Sequence, residues 1–280
     1  MSAADPPTSH PQGRDRLVWF DVSAGAAGDM LCGALVGAGV PLAVLQDAVD
    51  AVVPGLVRWE RADVRRAGLM ATAVTAHIDP DDAAERAWGH ISDLLAGAGL
   101  PPPVRGAAAA VFTRLAEVEA AVHGGAVDDV HLHEVGGLDA IGDVVGVAAG
   151  LHHLGVTEVV AGPLAVGSGA VRTAHGVLSV PVPAVVGLCA GWRIEAGGMG
   201  ELTTPTGAAL VTTLARACAP LPAMTLEASG VGAGRRETSE RANVVRALVG
   251  TAAPTSEAGT APDPTEVVVG ATVDDLGPRR

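Results

Sequence analysis

The chain is poor in aromatic residues and contains no lysine. Aromatic residues make up 2% of its 280 residues, tyrosine is absent, and all 18 basic residues are arginine. The core must therefore be built from alanine, valine and leucine, whose small side chains let elements pack closely. The net charge of −13 argues against nucleic acid or an anionic membrane as a partner, because both repel an acidic surface. Metal cations, in contrast, would be attracted.

Cysteine and long apolar runs are also scarce. Cys32, Cys189 and Cys218 are odd in number and far apart, which fits neither a disulfide framework nor a paired-thiolate metal site. Residues 1–16 are polar and contain prolines, so they predict a disordered lead-in and not a signal peptide. Polar residues interrupt the most apolar stretches, so no membrane span is expected. A reducing cytoplasm is the simplest location.

Helical and extended patterns alternate along the chain and predict an α/β fold, with a mixed sheet and helices packed outside it. An α+β arrangement is the alternative. We expect one domain over 17–250 and an Ala-, Pro- and Thr-rich linker over 251–264. The predicted strands are 17–21, 158–166, 170–180, 224–230 and 243–250, and a hairpin is predicted over 57–78 with its turn at Ala67-Gly68. A first helix is predicted to end at about Val36, and the other predicted helices are 42–53, 88–96, 104–123, 138–154 and 205–217.

The densest group of metal-binding side chains lies between residues 128 and 143. If 130–135 is a strand, His131 and His133 project from one face and Glu134 from the other. Asp139 and Asp143 are four residues apart and share one face of the next helix. Imidazole nitrogen with carboxylate oxygen suits nickel, zinc, iron or manganese. The alternative is that Asp139 only complements the helix dipole and the histidines belong to the core.

A second candidate site is the turn after the first strand. Asp21 ends that strand, and Gly25 and Gly28 lead into a helix whose free N–H groups could hold an anion. The glycine spacing matches neither the dinucleotide fingerprint nor the phosphate-binding loop. A tight turn with Asp29 as a helix cap is therefore the alternative.

Two later stretches have the chemistry of an anion site. In the first, glycines let the backbone approach a ligand, Arg172 supplies a fixed cation, and His175 could serve as base or ligand. The alternative is a hairpin with exposed Arg and His side chains. In the second, Thr204 predicts a helix cap, and Thr206 lies where a helix N-terminus can meet phosphate. The first stretch begins with Gly167, Ser168 and Gly169.

A group of arginines follows a glycine-rich segment late in the chain. The segment 230–234 reads Gly-Val-Gly-Ala-Gly, and the arginines stand out in an acidic protein. Taken singly, each of them is better explained as part of a solvated hairpin. The group consists of Arg235, Arg236, Arg241 and Arg246.

Five stretches, in order, resemble one known family. The run from Val130 to Gly146 resembles the His-x-His-Glu-Val-Gly-x-x-Asp-x-Ile-x-Asp signature of the LarC-type nickel insertion proteins. The other similar stretches are 20–30, 166–184, 201–210 and 230–246. The resemblance thus extends over roughly residues 17–250.

This resemblance implies an enzyme that inserts nickel into pyridinium-3,5-bisthiocarboxylic acid mononucleotide. The product is the nickel-pincer cofactor of lactate racemase-type enzymes, and CTP is consumed. It implies metal or acid/base roles for His131, His133 and Glu134. Asp21, Asp29, Asp139 and Asp143 are then metal ligands or their helpers, and the implied substrate-binding residues are Gly167, Ser168, Gly169, Arg172, His175 and Thr206.

Residues 265–280 resemble the beginning of the family's second half, which binds CTP with magnesium or manganese. We expect that these 280 residues alone neither bind CTP tightly nor complete insertion without that half. A lactate racemase-type apoenzyme would receive the cofactor. Two other functions fit the residues: a nickel delivery protein without catalysis, and a metal-dependent phosphohydrolase.

Overall fold

Helices and strands alternate in the part of the chain that a computed structural model describes, which comprises residues 15–79, 86–127, 130, 136–173, 175–237 and 241–253. The helices are α1 (Gly28–Gly37), α2 (Leu42–Val52), α3 (Trp88–Gly97), α4 (Pro102–His123), α5 (Leu138–His153), α6 (Pro183–Leu188) and α7 (Pro205–Leu214). The strands are β1 (Arg16–Asp21), β2 (Val57–Arg66), β3 (Leu69–Ile78), β4 (Glu158–Ala161), β5 (Leu164–Ala165), β6 (Gly167–Ser168), β7 (Ala170–Thr173), β8 (Gly176–Ser179), β9 (Ile194–Glu195), β10 (Gly200–Glu201), β11 (Ala217–Cys218), β12 (Met224–Ala233) and β13 (Val244–Ala252).

A seven-stranded mixed sheet organises these elements. Its strand order is β11-β4-β1-β13-β12-β3-β2. β1 runs parallel to β4 and antiparallel to β13, and β12 joins the hairpin of β2 and β3 through a parallel contact between Gly232 and Thr72. The prediction of an α/β fold with a mixed sheet is therefore confirmed.

Helix α1 is the main contact between the sheet and the helices. It packs on β12, β3 and β13 and also touches α5, which in turn packs on α2 and α4. Nearly all of α1 is buried, and the core around it is built mostly from Ala, Val and Leu. Each of the described helices lacks the length or the apolar character needed to cross a bilayer.

Two glycines let α1 lie directly on the backbone of β12. A Cβ atom at Gly232 would lie 1.8 Å from the Met30 carbonyl oxygen, and one at Gly230 would lie 2.0 Å from that of Ala34. Atoms cannot approach so closely, so both positions require glycine. This contact places the first turn of α1 beside the connection that leaves β12.

The structure differs from the predicted elements in two regions. The strands predicted at 158–166 and 170–180 are divided into shorter pieces, because Pro163 cannot donate to a ladder and the chain turns at Gly176 with φ 98°. The helix predicted to reach 217 ends at Leu214. Residues 217–218 instead pair with β4, so sheet pairing takes the place of another helical turn.

Candidate functional site

A cleft of about 340 Å³ opens where the N-termini of α1, α5 and α7 meet the connection between β12 and β13. This volume lies within the range of about 300–1,000 Å³ that is usual for small-molecule sites. Acidic residues from α1, α5 and β10 and arginines from the connection line it together. The acidic residues are Asp29, Asp139, Asp143 and Glu201, and the arginines are Arg235, Arg236 and Arg241.

Backbone hydrogen bonds lock the N-termini of α1 and α7 together. The Thr204 N–H donates to the Ala26 carbonyl oxygen at 2.9 Å, and the Ala26 N–H donates to the Leu202 carbonyl oxygen at 3.1 Å. Buried Thr203 supports this junction, since its hydroxyl accepts from the Ala26 N–H and donates to the Ala165 carbonyl. A Cβ at Gly207 would lie 2.2 Å from the Ala26 carbonyl oxygen, so the two helices are in direct backbone contact.

Three aspartates form the acidic part of the cleft. The backbone N–H of Asp29 donates to the Asp143 carboxylate, and a Cβ at Gly28 would lie 2.3 Å from Oδ2 of Asp143. Burial, followed by the charges of Asp29 and Asp139, raises the pKa of Asp143 well above its usual value. Burial also raises the pKa of Asp29, although Arg235 opposes this effect. A divalent cation in place of the proton would relieve the repulsion between these carboxylates.

The three aspartates alone do not provide a complete set of metal ligands. No three His, Cys, Asp or Glu side chains are arranged to hold a metal ion among the residues that the structure describes. Cys32 lies beneath Asp143 and donates to its carbonyl oxygen over 3.6 Å. Burial and the nearby charges of Asp143 and Asp29 raise the pKa of this thiol well above its usual value, so it stays protonated and is a poor ligand.

The arginines contact two different parts of the cleft wall. Nε of Arg235 lies 3.2 Å from Oδ2 of Asp29. Arg236 instead faces Glu201, with 3.9 Å between the charged atoms, and Arg241 donates to the Gly197 carbonyl at 3.1 Å. The cleft therefore joins a carboxylate cluster that favours a cation to a group of guanidiniums that favours an anion.

Comparison with known proteins assigns the chain to a family. Residues 18–280 match the family model described as nickel insertion protein. The chain belongs to the nickel insertion protein family. The resemblance found in the sequence motifs is thereby confirmed.

Three curated relatives show how far this similarity extends. A protein of Nocardioides sp., named pyridinium-3,5-bisthiocarboxylic acid mononucleotide nickel insertion protein, is 54% identical over 93% of this chain and 65% of its own length. Putative nickel insertion proteins of Citrifermentans bemidjiense and Synechococcus elongatus are each 40% identical over 94% of this chain and 67% of their own lengths. The chain thus spans about two thirds of the length of these relatives. No solved structure matches it.

The predicted metal-binding residues of this nickel insertion family member fall into three groups. Asp29, Asp139 and Asp143 line the cleft. Asp21 lies outside the lining, where Nε of Arg246 donates to Oδ2 of Asp21 at 2.9 Å. His131, His133 and Glu134 lie outside the described residues, so their part in metal binding stays a prediction.

Asp21 has a structural partner on the neighbouring strand. Partial burial by itself raises its pKa, but hydrogen bonds from Ser23 and Arg246 outweigh burial, and the net pKa lies below the usual value. Asp21 therefore stays charged and joins the end of β1 to β13. This ion pair accounts for the residue without any metal.

The predicted substrate-binding residues divide in the same way. Thr206 lines the cleft, while the Gly-Ser-Gly segment and Arg172 do not. Gly167 pairs with Glu201 in the ladder of β6 and β10, and the Ser168 hydroxyl donates to the Gly198 carbonyl at 2.7 Å. The segment thus supports the wall at 197–201. Arg172 is exposed on β7.

His175 lies by the end of α4, with its ring centroid 5.0 Å from that of His123. It is exposed and does not line the cleft. The residues that sequence reasoning missed as site residues are the arginines of the connection. In the sequence these arginines stood out as a basic cluster in an acidic chain. The contact between Arg235 and Asp29, however, depends on the packing of α1 on Gly230 and Gly232.

Proposed function

We propose that this chain inserts nickel into pyridinium-3,5-bisthiocarboxylic acid mononucleotide, as a CTP-dependent enzyme of the lyase or chelatase class. The observation that carries the proposal is the composition of the cleft. Asp29, Asp139 and Asp143 lie next to Arg235, Arg236 and Arg241 in one space. A divalent cation and an anionic mononucleotide are the two reactants that such a space would hold. The name of the Nocardioides relative supports the same pair.

The metal enters this reaction as a substrate. We assign nickel to the aspartates of the cleft together with His131, His133 and Glu134, which would supply the ligands that the aspartates lack. Nitrogen and carboxylate oxygen donors suit a divalent nickel ion that must later be released to another ligand. The thiocarboxylate sulfurs of the substrate would then take over as ligands.

Formation of a carbon–nickel bond requires a base. Nickel replaces a proton on the pyridinium ring, so the C–H bond breaks, the Ni–C bond forms and the proton passes to a protein group. A carboxylate near the metal can accept it, and burial tunes such a group towards neutral pH. We propose Glu134, His131 or His133 for this step, with the cleft aspartates holding the metal.

The remaining partners come from the family resemblance alone. We propose that CTP, with magnesium or manganese, is used by the family's second half, that a lactate racemase-type apoenzyme receives the product, and that the reaction takes place in the cytoplasm. The three cysteines are all unpaired, which suits a reducing compartment.

The test is an insertion assay with purified components. The chain is incubated with the mononucleotide, nickel and CTP, with and without the second half of the Nocardioides relative, and mass spectrometry follows the gain of one nickel and the loss of one proton. We expect product with the second half and, for Asp143→Asn, a loss of at least about tenfold. Asp47→Asn, an exposed change on α2, is the matched control.

The alternatives give different outcomes in the same assay. A delivery protein would bind nickel but form no product with either preparation. A phosphohydrolase would release phosphate from simple nucleotides. Either result would replace the proposed function.

A further inference from the structure

We infer that the N-terminus of α7 with the Thr206 hydroxyl, flanked by Arg236, is the subsite for the phosphate monoester of the mononucleotide. The inference rests on the proposed function for the identity of the ligand and adds where its phosphate lies. It differs from the expectation, drawn from the motifs, that Arg172 and the Gly-Ser-Gly segment hold the anionic end.

Thr206 offers a hydrogen-bonding group to the cleft. It is 8% exposed and borders the cleft, yet within the described part of the chain its hydroxyl makes no hydrogen bond. The hydroxyl oxygen is accessible from the cleft, so a ligand or water can serve as its partner. A phosphate oxygen is a strong acceptor for it.

The backbone of the same turn is suited to an anion. Pro205 at the first helical position has no N–H, and the Gly207 N–H is occupied by the Thr204 hydroxyl at 3.1 Å. The Thr206 N–H lies between them, in the first turn, where N–H groups have no intrahelical acceptor. The positive end of the helix dipole adds to the attraction for phosphate.

Arg236 supplies the charge. Its charged atom lies 3.9 Å from that of Glu201, which is too far for a hydrogen bond, so this pair does not occupy the donors of the guanidinium. Its side chain is 58% exposed, and it lies over Gly200, where an added Cβ would be 3.3 Å from the guanidinium. A guanidinium in this position can form a bidentate contact with phosphate.

The charges around the cleft favour this end for the phosphate. Asp29, Asp139 and Asp143 would repel a dianion at the other helix N-termini, even though helix ends in general attract anions. Among the described residues of the lining, Glu201 is the acidic group near α7, and Arg236 lies beside it. The pyridinium ring with its two thiocarboxylates, the groups that take up the metal, would then lie towards the aspartates and the nickel.

The test compares two commercial probes by titration calorimetry. Nicotinamide mononucleotide is a pyridinium mononucleotide without thiocarboxylates, and nicotinamide riboside is the same molecule without phosphate. We expect the wild-type chain to bind the mononucleotide at least about tenfold more tightly than the riboside. Thr206→Val and Arg236→Gln should each reduce this ratio by at least about threefold, and Thr206→Ser should preserve it.

Arg172→Gln is the matched control, because it removes an exposed arginine outside the lining. It should leave the ratio unchanged. The proposed phosphate subsite would be wrong if the two probes bound with equal affinity or if neither bound measurably. It would also be wrong if the ratio of their affinities fell only in Arg172→Gln. A retained ratio in a protein that never forms the nickel product would refute the proposed function and leave the subsite in place. Melting curves of all variants confirm that each is folded.

Discussion

Arg235 and Asp29 form an ion pair across the cleft, with 3.2 Å between Nε and Oδ2. The two residues are 206 positions apart in the sequence, and the packing of α1 on β12 brings them together. The Asp29 side chain is 13% exposed, whereas that of Arg235 is 66% exposed. Arg235 therefore covers a carboxylate that we assign to nickel, and it neutralises part of the charge that would attract the metal.

Arg235→Gln should increase the affinity of the chain for nickel in the absence of nucleotide. The change removes a positive charge next to Asp29, while glutamine keeps much of the side-chain volume. Because the arginine is largely exposed, we expect a gain of only several-fold, on the order of 1 kcal/mol. Titration calorimetry at pH 8 measures it.

Arg58→Gln on β2 is the control for this experiment, since it removes an exposed arginine that does not line the cleft. It should change nickel affinity little. Weaker nickel binding in Arg235→Gln than in Arg58→Gln would contradict the role given to the ion pair.

Gly232→Ala should destabilise the fold strongly. The added Cβ would meet the Met30 carbonyl oxygen at 1.8 Å, and neither α1 nor β12 can move without opening the core. We expect the free energy of unfolding to fall by at least about 2 kcal/mol, as measured by urea denaturation. Nickel affinity should fall as well, because α1 carries Asp29.

Gly106→Ala serves as the opposite case. Gly106 is exposed inside α4, and no atom outside its chain neighbours and the backbone of its own helix lies within 4 Å of the position of its Cβ. Alanine there should stabilise the protein by about 0.5–1 kcal/mol through helix propensity. If Gly106→Ala also lowered the free energy of unfolding, the loss in Gly232→Ala could not be assigned to the contact between α1 and β12.

Local patterns in the sequence were sufficient for most elements. The apolar spacing of 138–154 predicted α5 within one residue, the Ala67-Gly68 turn set the hairpin of β2 and β3, and Gly124 ends α4 in the left-handed conformation. Each of these depends on neighbours in the chain, because helix periodicity, turns and caps are short-range.

Local sequence patterns predicted less of the candidate site. Asp139 and Asp143 could be paired because they are one helical turn apart, but Asp29, Thr206 and Arg235 come from three distant segments. Arg172 has the chemistry expected of an anion site, yet it is exposed on β7 and does not line the cleft. Sheet order decides which arginine faces the aspartates, and no local pattern contains that order.

Asp21→Asn should lower stability at neutral pH but not in acid. The pKa of Asp21 is lowered in the folded chain, so its contribution is present above the unfolded pKa and is lost as pH falls through the folded pKa. Because Arg246 is half exposed, we expect a loss of about 0.5–1 kcal/mol at pH 7. Melting temperatures from pH 7 down to pH 3 should converge with those of the wild type, and Asp47→Asn, an exposed change on α2, is the control.

Asp143→Asn should have the opposite effect on stability. The pKa of Asp143 is raised, so the folded chain binds more protons than the unfolded one, and wild-type stability falls as pH rises from the unfolded pKa towards the folded pKa. Asparagine cannot ionise, so the variant should melt higher than the wild type at pH 8, and the difference should disappear near pH 4. It should also bind nickel less tightly, since a charged ligand is lost. A variant that melts lower than the wild type at pH 8 would show that the charged Asp143 side chain stabilises the fold. Other groups in the protein would then have to offset the repulsion between Asp143 and the charges of Asp29 and Asp139.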